Sequence, residues 1–226
     1  MDRHHPCQIC TCSDGALCPG CPLQGELHCR PDRNLQRFFI LNQLPFLVLA
    51  FFSLGFRGLV AGGWWPLAGY ALVCLAFLGP VETRFLCSHC PFYAREGKFV
   101  HCLAYNPFPR LWPFRPGPMS SGEKAVVAAF ALFIWSFPAL ALGHLLWPAL
   151  RPAAGHSPAF LAAAGLELAV VLAALQFYYI LSRCFCRRCL NFSCPFNRVP
   201  PAARREYLER NPAMKAAWEG DVDGKG

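Results

Sequence analysis

The sequence predicts an all-α membrane protein with four transmembrane helices and small cysteine-rich, metal-stapled segments on one face of the bilayer. Three observations predict this class. Hydrophobic residues make up 55% of the 226 positions and charged residues only 15%, whereas soluble domains carry about 25% charged residues. Four apolar segments are each long enough to cross a membrane. Thirteen of the fourteen cysteines lie outside those segments.

The predicted spans follow from the thickness of the bilayer. A hydrocarbon core of about 30 Å requires about twenty helical residues, because each residue rises about 1.5 Å. Glu167 is the only Asp, Glu, Lys or Arg within the four segments that meet this length. Those segments are residues 38–56, 59–79, 125–147 and 159–181.

The connections between the spans predict how the chain is organised. We expect a bare turn at Arg57 and Gly58 between the first two spans, and a short proline-rich turn, residues 148–158, between the last two. Residues 199–219 are expected to form one or two short helices, because Pro200 and Pro201 suit a helix entrance and Pro212 breaks the pattern and starts a second piece. The predicted segments are an N-terminal cysteine-rich tail (1–34), a transmembrane hairpin (35–79), a cysteine-rich loop (80–124), a second transmembrane hairpin (125–181) and a cysteine-rich basic tail (182–226).

Basic residues predict the orientation. An even number of spans places both tails and the middle loop on one side, and 19 of the 21 Lys and Arg residues lie there. Only Arg57 and Arg151 lie on the other side. By the positive-inside rule we expect a cell-membrane protein with both termini in the cytoplasm. The first thirty residues lack the apolar core of a signal peptide, so we expect the N-terminus to belong to the mature protein.

The net charge of +8 raises the question of nucleic acid. The basic residues flank apolar segments and do not form a stripe with interleaved aromatic residues, so no nucleic-acid partner is expected. The lipid bilayer is the expected partner, and a protein partner at the cytoplasmic face is a second expectation. The sequence leaves the oligomeric state open.

The cysteines predict metal sites. Cytoplasmic thiols are kept reduced, so their density favours metal ligation over disulfides. Four CxxC pairs are present, and two residues between thiolates let a tight turn present both sulfurs to one ion. The candidate ligands are Cys7, Cys10, Cys18, Cys21, Cys87, Cys90, Cys102, Cys184, Cys186, Cys189 and Cys194.

Four CxxC pairs predict about two complete sites. One is expected within the N-terminal tail, from Cys7, Cys10, Cys18 and Cys21. The other is expected to join the pair of the middle loop to the pair of the C-terminal tail, with Cys102, Cys184 or Cys194 as further ligands. The three polar segments are expected to be too small to build an apolar core without metal.

Zinc is the expected metal because paired CxxC turns are typical of structural zinc sites. An iron–sulfur cluster is the alternative, because the crowded run that ends in Cys194 and Pro195 is typical of cluster ligation, although its spacing is not that of ferredoxins. His89 and His101 adjoin Cys90 and Cys102 and are possible ligands, but the expected environment of both histidines is the surface.

Two residues inside the spans receive opposite interpretations. An intramembrane carboxylate is energetically costly, so Glu167 is a functional candidate, and a protonated acid that hydrogen-bonds between helices is the alternative. Cys74 is interpreted as a small buried hydrophobic residue.

Several strings resemble a family. CSHCPFYAREGK at residues 87–98, RPGPMSSGEK at 115–124, NFSCPFNRVP at 191–200 and YLERNPAMKAAWE at 207–219 resemble a group of prokaryotic cysteine-rich integral membrane proteins. The resemblance covers most of the chain after Arg30. It implies the membrane topology and carries no activity.

Three functions are weighed. The first is a non-catalytic docking or sensing platform stabilised by metal, in which no residue has a catalytic role. The second is electron transfer by iron–sulfur centres at the membrane surface. The third is an acyltransferase, because protein palmitoyltransferases also carry a cysteine-rich zinc domain between their second and third spans. Their Asp-His-His-Cys motif is missing, and only His101 and Cys102 resemble it.

Overall fold

A computed structural model describes residues 9–11, 18–95, 97–104, 107–147 and 157–223, so Cys7 and the predicted turn at 148–156 lie outside the described residues. The protein is mostly helical, at 67%, which agrees with the predicted class. It forms two compact units. The cysteine-rich unit comprises Met1–Phe39, Gly79–Val127 and Leu181–Gly226, and the helical unit comprises Ile40–Leu78 and Ala128–Ile180.

Four helical segments are long and apolar enough to cross a membrane, as predicted. Short π-helical turns, Phe77–Val81 and Leu181–Phe185, extend α2 and α5. The α-helices are α1 (Arg33–Ala61), α2 (Trp65–Ala76), α3 (Glu82–Phe85), α4 (Ser121–Leu146), α5 (Pro158–Ile180), α6 (Pro201–Glu209) and α7 (Pro212–Asp223). The two short C-terminal helices begin at the predicted prolines.

The first turn does not lie where the sequence predicted it. Arg57 and Gly58 are inside α1, and the chain turns at Gly62 and Gly63, whose φ values are 69° and 82°. Two consecutive residues with positive φ favour glycine, which lacks the Cβ that makes this region costly. Gly58 serves a different purpose, because a Cβ there would lie 3.0 Å from the Trp64 ring.

The outer surface of the helical unit is apolar. Only 17 to 28% of the residues in the most apolar window of each span are buried within the protein. Leu72, Leu132 and Leu140 are each 67 to 68% exposed. Soluble proteins rarely expose so much continuous apolar surface, whereas lipid chains cover it without cost.

Aromatic side chains fill the interior of the helical unit. Phe46 of α1 stacks on Phe177 of α5 with ring centroids 6.4 Å apart. Tyr70 of α2 contacts Phe51 of α1 at 5.3 Å and Phe137 of α4 at 6.1 Å. Such pairs contribute about 0.5–1.5 kcal/mol beyond the burial of their area. They connect all four spans.

Pro138 in α4 shows how a proline is accommodated in a span. Proline has no N–H, so the carbonyl of Ile134, four residues earlier, loses its helical donor. The Tyr70 hydroxyl of α2 donates to this oxygen at 3.1 Å. A neighbouring helix therefore satisfies the carbonyl that Pro138 leaves without its helical donor.

The cysteine-rich unit has an apolar core, which we call the platform core. Each of the three polar segments supplies a few buried residues to this shared core. The expectation that the core needs metal in order to fold stays a prediction. The buried members of the platform core are Ile9, Leu23, Leu27, Phe92, Ala94, Leu190, Phe192, Tyr207 and Met214.

Hydrogen bonds join the same three segments. Each bond couples residues that are far apart in sequence, so the segments hold one another in place. The bonds are Thr11 Oγ1 to Pro91 O at 3.1 Å, His28 N to Arg188 O at 2.9 Å, and Asn191 Nδ2 to Leu86 O at 2.7 Å.

A small antiparallel ladder, which the sequence did not predict, orders the middle loop. β1 (Phe99–Val100) pairs with β2 (Phe108–Pro109), with Val100 opposite Phe108. Cys102 lies two residues after the end of β1. The ladder therefore fixes the backbone on both sides of this cysteine.

Candidate metal centre

Four cysteines of the N-terminal tail interact electrostatically, and we call them the N-terminal thiol group. Cys29 is within electrostatic range of Cys10, Cys18 and Cys21. Three of these four residues are predicted ligands, and Cys29 was missed because it belongs to no CxxC pair. Its position eight residues after Cys21 was the available signal.

Backbone contacts position the N-terminal thiol group. The N–H of Cys21 donates to the carbonyl of Cys18 at 3.1 Å, which closes the tight turn expected of a CxxC pair. The N–H of Cys10 donates to Asn211 Oδ1 at 2.7 Å, and Asn211 is fully buried between α6 and α7. The C-terminal helices therefore hold the turn at Cys10.

Arg30 supplies positive charge to the N-terminal thiol group. Its Nε and one terminal nitrogen each lie 3.4 Å from Cys18 Sγ. A guanidinium beside the sulfurs offsets part of the negative charge that thiolate ligands of a metal would carry.

A second set of cysteines combines the middle loop and the C-terminal tail. Cys87, Cys90 and Cys102 line one small cavity of about 40 Å³. Cys189 is within electrostatic range of Cys87 and Cys90, and Cys194 is within range of Cys90 and Cys189. We call these five residues the central thiol group.

Local turns position the central thiol group. The N–H of Cys90 donates to the carbonyl of Cys87 at 2.9 Å, so this CxxC pair forms the same turn as Cys18 and Cys21. Asn197 Nδ2 donates to the carbonyl of Cys189 at 2.9 Å. The second half of the group is therefore held by the loop that precedes α6.

Backbone N–H groups point at three sulfurs of the central thiol group. In each case the donor is two residues further along the chain, as in the loops that hold metal-bound thiolates. Donation to a ligand atom orients the ligand and offsets its negative charge. The pairs are Phe92 to Cys90, Asn191 to Cys189, and Phe196 to Cys194, the last at 3.4 Å.

Burial of the cysteines opposes this stabilisation of the thiolate form. It raises the pKa of Cys29 and of Cys186 to about 12, and it also raises the pKa values of Cys90, Cys189 and Cys194. Desolvation disfavours the charged thiolate, so these groups are neutral thiols near pH 7. A metal that binds them must therefore displace protons.

Tyr207 adjoins both groups. Its buried ring belongs to the platform core and lies within electrostatic range of Cys10, Cys29 and Cys90. The Cys10 thiol interacts with the Tyr207 hydroxyl, but not with the geometry of a hydrogen bond. Among the described residues, the Tyr207 hydroxyl has no hydrogen-bond partner. Tyr207 therefore interacts electrostatically with both the N-terminal and the central thiol group.

The grouped thiols are not yet arranged around a point. Within the part of the chain that the structure describes, no group of three or more His, Cys, Asp or Glu side chains has the arrangement that holds an ion. The cysteines interact electrostatically, but their side chains do not converge on one point.

Comparison with protein-family models, curated proteins and solved structures found no match. The resemblance to a cysteine-rich membrane family therefore stays a prediction, and the site is argued from its own geometry.

His89 is not the surface histidine that the sequence predicted. It is only 4% exposed, and its Nδ1 lies 2.7 Å from the carbonyl oxygen of Gly117. Its Nε2 lies 3.7 Å from Glu123 Oε2, which is too long for a hydrogen bond. His89 thus fastens the turn of the Cys87 pair to the segment that precedes α4.

Glu123 completes this fastening. Its Oε1 accepts a hydrogen bond from Arg115 at 2.6 Å, and its Oε2 accepts one from the N–H of Ser120 at 2.9 Å. The N–H of Glu123 donates to Ser120 Oγ at 3.2 Å. This reciprocal pair is the capping box that starts α4.

Three residues that the sequence singled out, namely Cys184, Cys74 and Glu167, lie outside the two thiol groups. Cys184 is exposed, and Cys74 is buried in α2 as predicted. In the helical unit, Glu167 Oε2 is buried without a hydrogen-bond partner among the described residues. Gly143 of α4 lies beside this carboxyl, and a Cβ there would be in ordinary van der Waals contact with Glu167 Oε1, at 3.6 Å.

Proposed function

We propose that this chain is an integral membrane protein whose cysteine-rich unit binds zinc through cysteine thiolates on the cytoplasmic side. The bound metal stabilises a platform that docks a partner or reports metal status. The observation that carries the proposal is the cavity of about 40 Å³ lined by Cys87, Cys90 and Cys102, which has Cys189 beside it.

Two ligand sets are proposed. The first is the N-terminal set of Cys10, Cys18, Cys21 and Cys29. The second takes four members of the central thiol group, namely Cys87, Cys90, Cys102 and Cys189. Each set contains at least one CxxC turn, and four thiolates form the tetrahedral shell of a structural zinc site.

The N–H donors and Arg30 support thiolate ligation over inert buried thiols. A thiol buried only for packing needs no aligned donor, whereas a metal-bound thiolate is stabilised by one. Burial raises the pKa values of these thiols and so favours their protonated form. A bound cation reverses that preference, because it replaces the protons and stabilises the thiolates.

The cytoplasmic assignment rests on charge. Nineteen of the 21 Lys and Arg residues belong to the two tails and the middle loop. Retention of basic segments on the cytoplasmic side then places the thiols in a reducing compartment. An impermeant maleimide tests this orientation. The thiols are expected to stay unlabelled in intact cells and to be labelled after the cells are permeabilised. Labelling of the tails from outside intact cells would contradict the orientation.

Elemental analysis tests the metal. Full-length protein purified under anaerobic conditions is expected to carry about two zinc ions per chain and no visible absorbance. Brown protein with iron and sulfide in equal amounts would support electron transfer instead. Protein without stoichiometric metal would contradict both functions.

Two variants locate the ions. Cys189→Ser and Cys29→Ser are each expected to lose about one zinc, because each removes a thiolate from a different set of four. Cys184→Ser is the matched control, since Cys184 is an exposed cysteine of the same tail as Cys189. Equal zinc content in all three variants would contradict the assigned ligands.

A further inference from the structure

A groove in the cysteine-rich unit carries charge that metal binding does not use. It has a volume of about 690 Å³ and is lined by the first turn of α4 and by side chains of α6 and α7. Lys124, Arg204, Arg205 and Lys215 supply its positive charge. We call it the basic groove.

Three of these cations have no carboxylate partner. Among the described residues, no ion pair joins Lys124, Arg204 or Arg205 to an acidic side chain. Arg204 is held by Trp218 instead, because its guanidinium carbon lies 4.7 Å from the centroid of the Trp218 ring. A cation over an aromatic face is oriented but not neutralised.

The groove also contains two carboxylates. Glu219 Oε1 lies 3.7 Å from Lys215 Nζ, so this pair is largely self-compensating. Glu209 lines the groove as an exposed side chain. Cations therefore outnumber carboxylates by two, which suits a ligand with one concentrated negative charge.

Trp218 forms part of the groove wall. Its ring holds the Arg204 guanidinium and so fixes the position of one of the groove's positive charges.

The position of Lys124 indicates where the ligand comes from. Lys124 lies in the first turn of α4, a helix that is long and apolar enough to cross a membrane. The first turn of such a helix lies at the depth of the lipid headgroups, where phosphate is the abundant anion. We propose that the basic groove binds the phosphate of an anionic phospholipid headgroup.

Lipid retention by the full-length chain in detergent tests this proposal. Native mass spectrometry would measure the binding of phosphatidylglycerol and of phosphatidylcholine with the same acyl chains. Lys124→Gln and Arg205→Gln are each expected to weaken phosphatidylglycerol binding about fivefold, and the double variant roughly 25-fold. Arg210→Gln is the matched control, because Arg210 follows α6 but pairs with Glu206 outside the groove.

Three results would overturn the proposal. They are unchanged phosphatidylglycerol binding in the double variant, equal binding of phosphatidylcholine and phosphatidylglycerol, and displacement of the lipid by inorganic phosphate at equal concentration. Melting temperatures of the lipid-free variants, expected to equal that of the parent protein, separate a lost site from a lost fold.

Discussion

The two units of this protein reach stability by different routes. The helical unit has a long apolar sequence, exposes leucines outward and pairs aromatic rings inside. The cysteine-rich unit has a small apolar core and depends on hydrogen bonds between sequence-distant segments and on buried thiols. The contrast shows that one chain can contain a region whose fold follows from local composition and another whose fold follows from distant contacts.

Metal removal should produce the largest difference between the two units in their response. Structural zinc contributes about 10–16 kcal/mol to the folding of small domains, so a strong chelator is expected to open the cysteine-rich unit. Trypsin should then cleave at Arg187 and Arg188, between Cys186 and Cys189, while circular dichroism shows the spanning helices intact. Equal cleavage with and without chelator would mean that the platform core suffices.

Asn211→Ala should destabilise the cysteine-rich unit without affecting the helical unit. Asn211 accepts a hydrogen bond from Cys10 N and donates one to Tyr207 O at 2.6 Å, and both would be lost. Leaving a buried partner unsatisfied costs about 1–3 kcal/mol, so the two lost bonds are expected to cost roughly 2–6 kcal/mol in urea unfolding. Asn34→Ala is the control because Asn34 is exposed, and an equal loss there would refute the assignment.

Tyr70→Phe probes the helical unit and should have a smaller effect. Hydrogen bonds between membrane helices contribute about 0.6 kcal/mol on average and up to about 1.7. In a Pro138→Ala background, residue 138 regains its N–H and satisfies Ile134, so Tyr70→Phe should cost almost nothing. A double-mutant cycle of thermal unfolding in detergent checks this, and an equal cost in both backgrounds would contradict the role of Tyr70.

Glu167→Gln should have the smallest effect. Its buried Oε2 has no hydrogen-bond partner among the described residues, so the amide should change the free energy of unfolding by less than about 1 kcal/mol. Glu123→Gln is the contrasting variant, because that carboxylate bonds Arg115 and Ser120. A larger loss at position 167 than at 123 would show that Glu167 has a stabilising partner.

The sequence predicted those parts of the fold that depend on local properties. The number of spans follows from their length and hydropathy, and the two C-terminal helices follow from Pro201 and Pro212. The first turn was misplaced because the apolar stretch continues past Arg57, and only the paired glycines mark where helix geometry fails.

The sequence identified most of the cysteines of the candidate metal centre, but it did not identify every cysteine that belongs to each set. CxxC spacing identified Cys18 with Cys21 and Cys87 with Cys90, because each pair closes a local turn. Cys29 was not identified, since its approach to the other thiols depends on folding of the whole tail. The buried position of His89 was equally invisible, because it depends on a carbonyl 28 residues away.

The platform core has a consequence for how the protein is made. Its residues come from before the first span, from between the second and third, and from after the fourth, with Ile9, Phe92 and Leu190 as examples. A ribosome that has released only half of the chain cannot assemble it. Assembly of the platform core must therefore wait until all four spans and the segment after them have been translated.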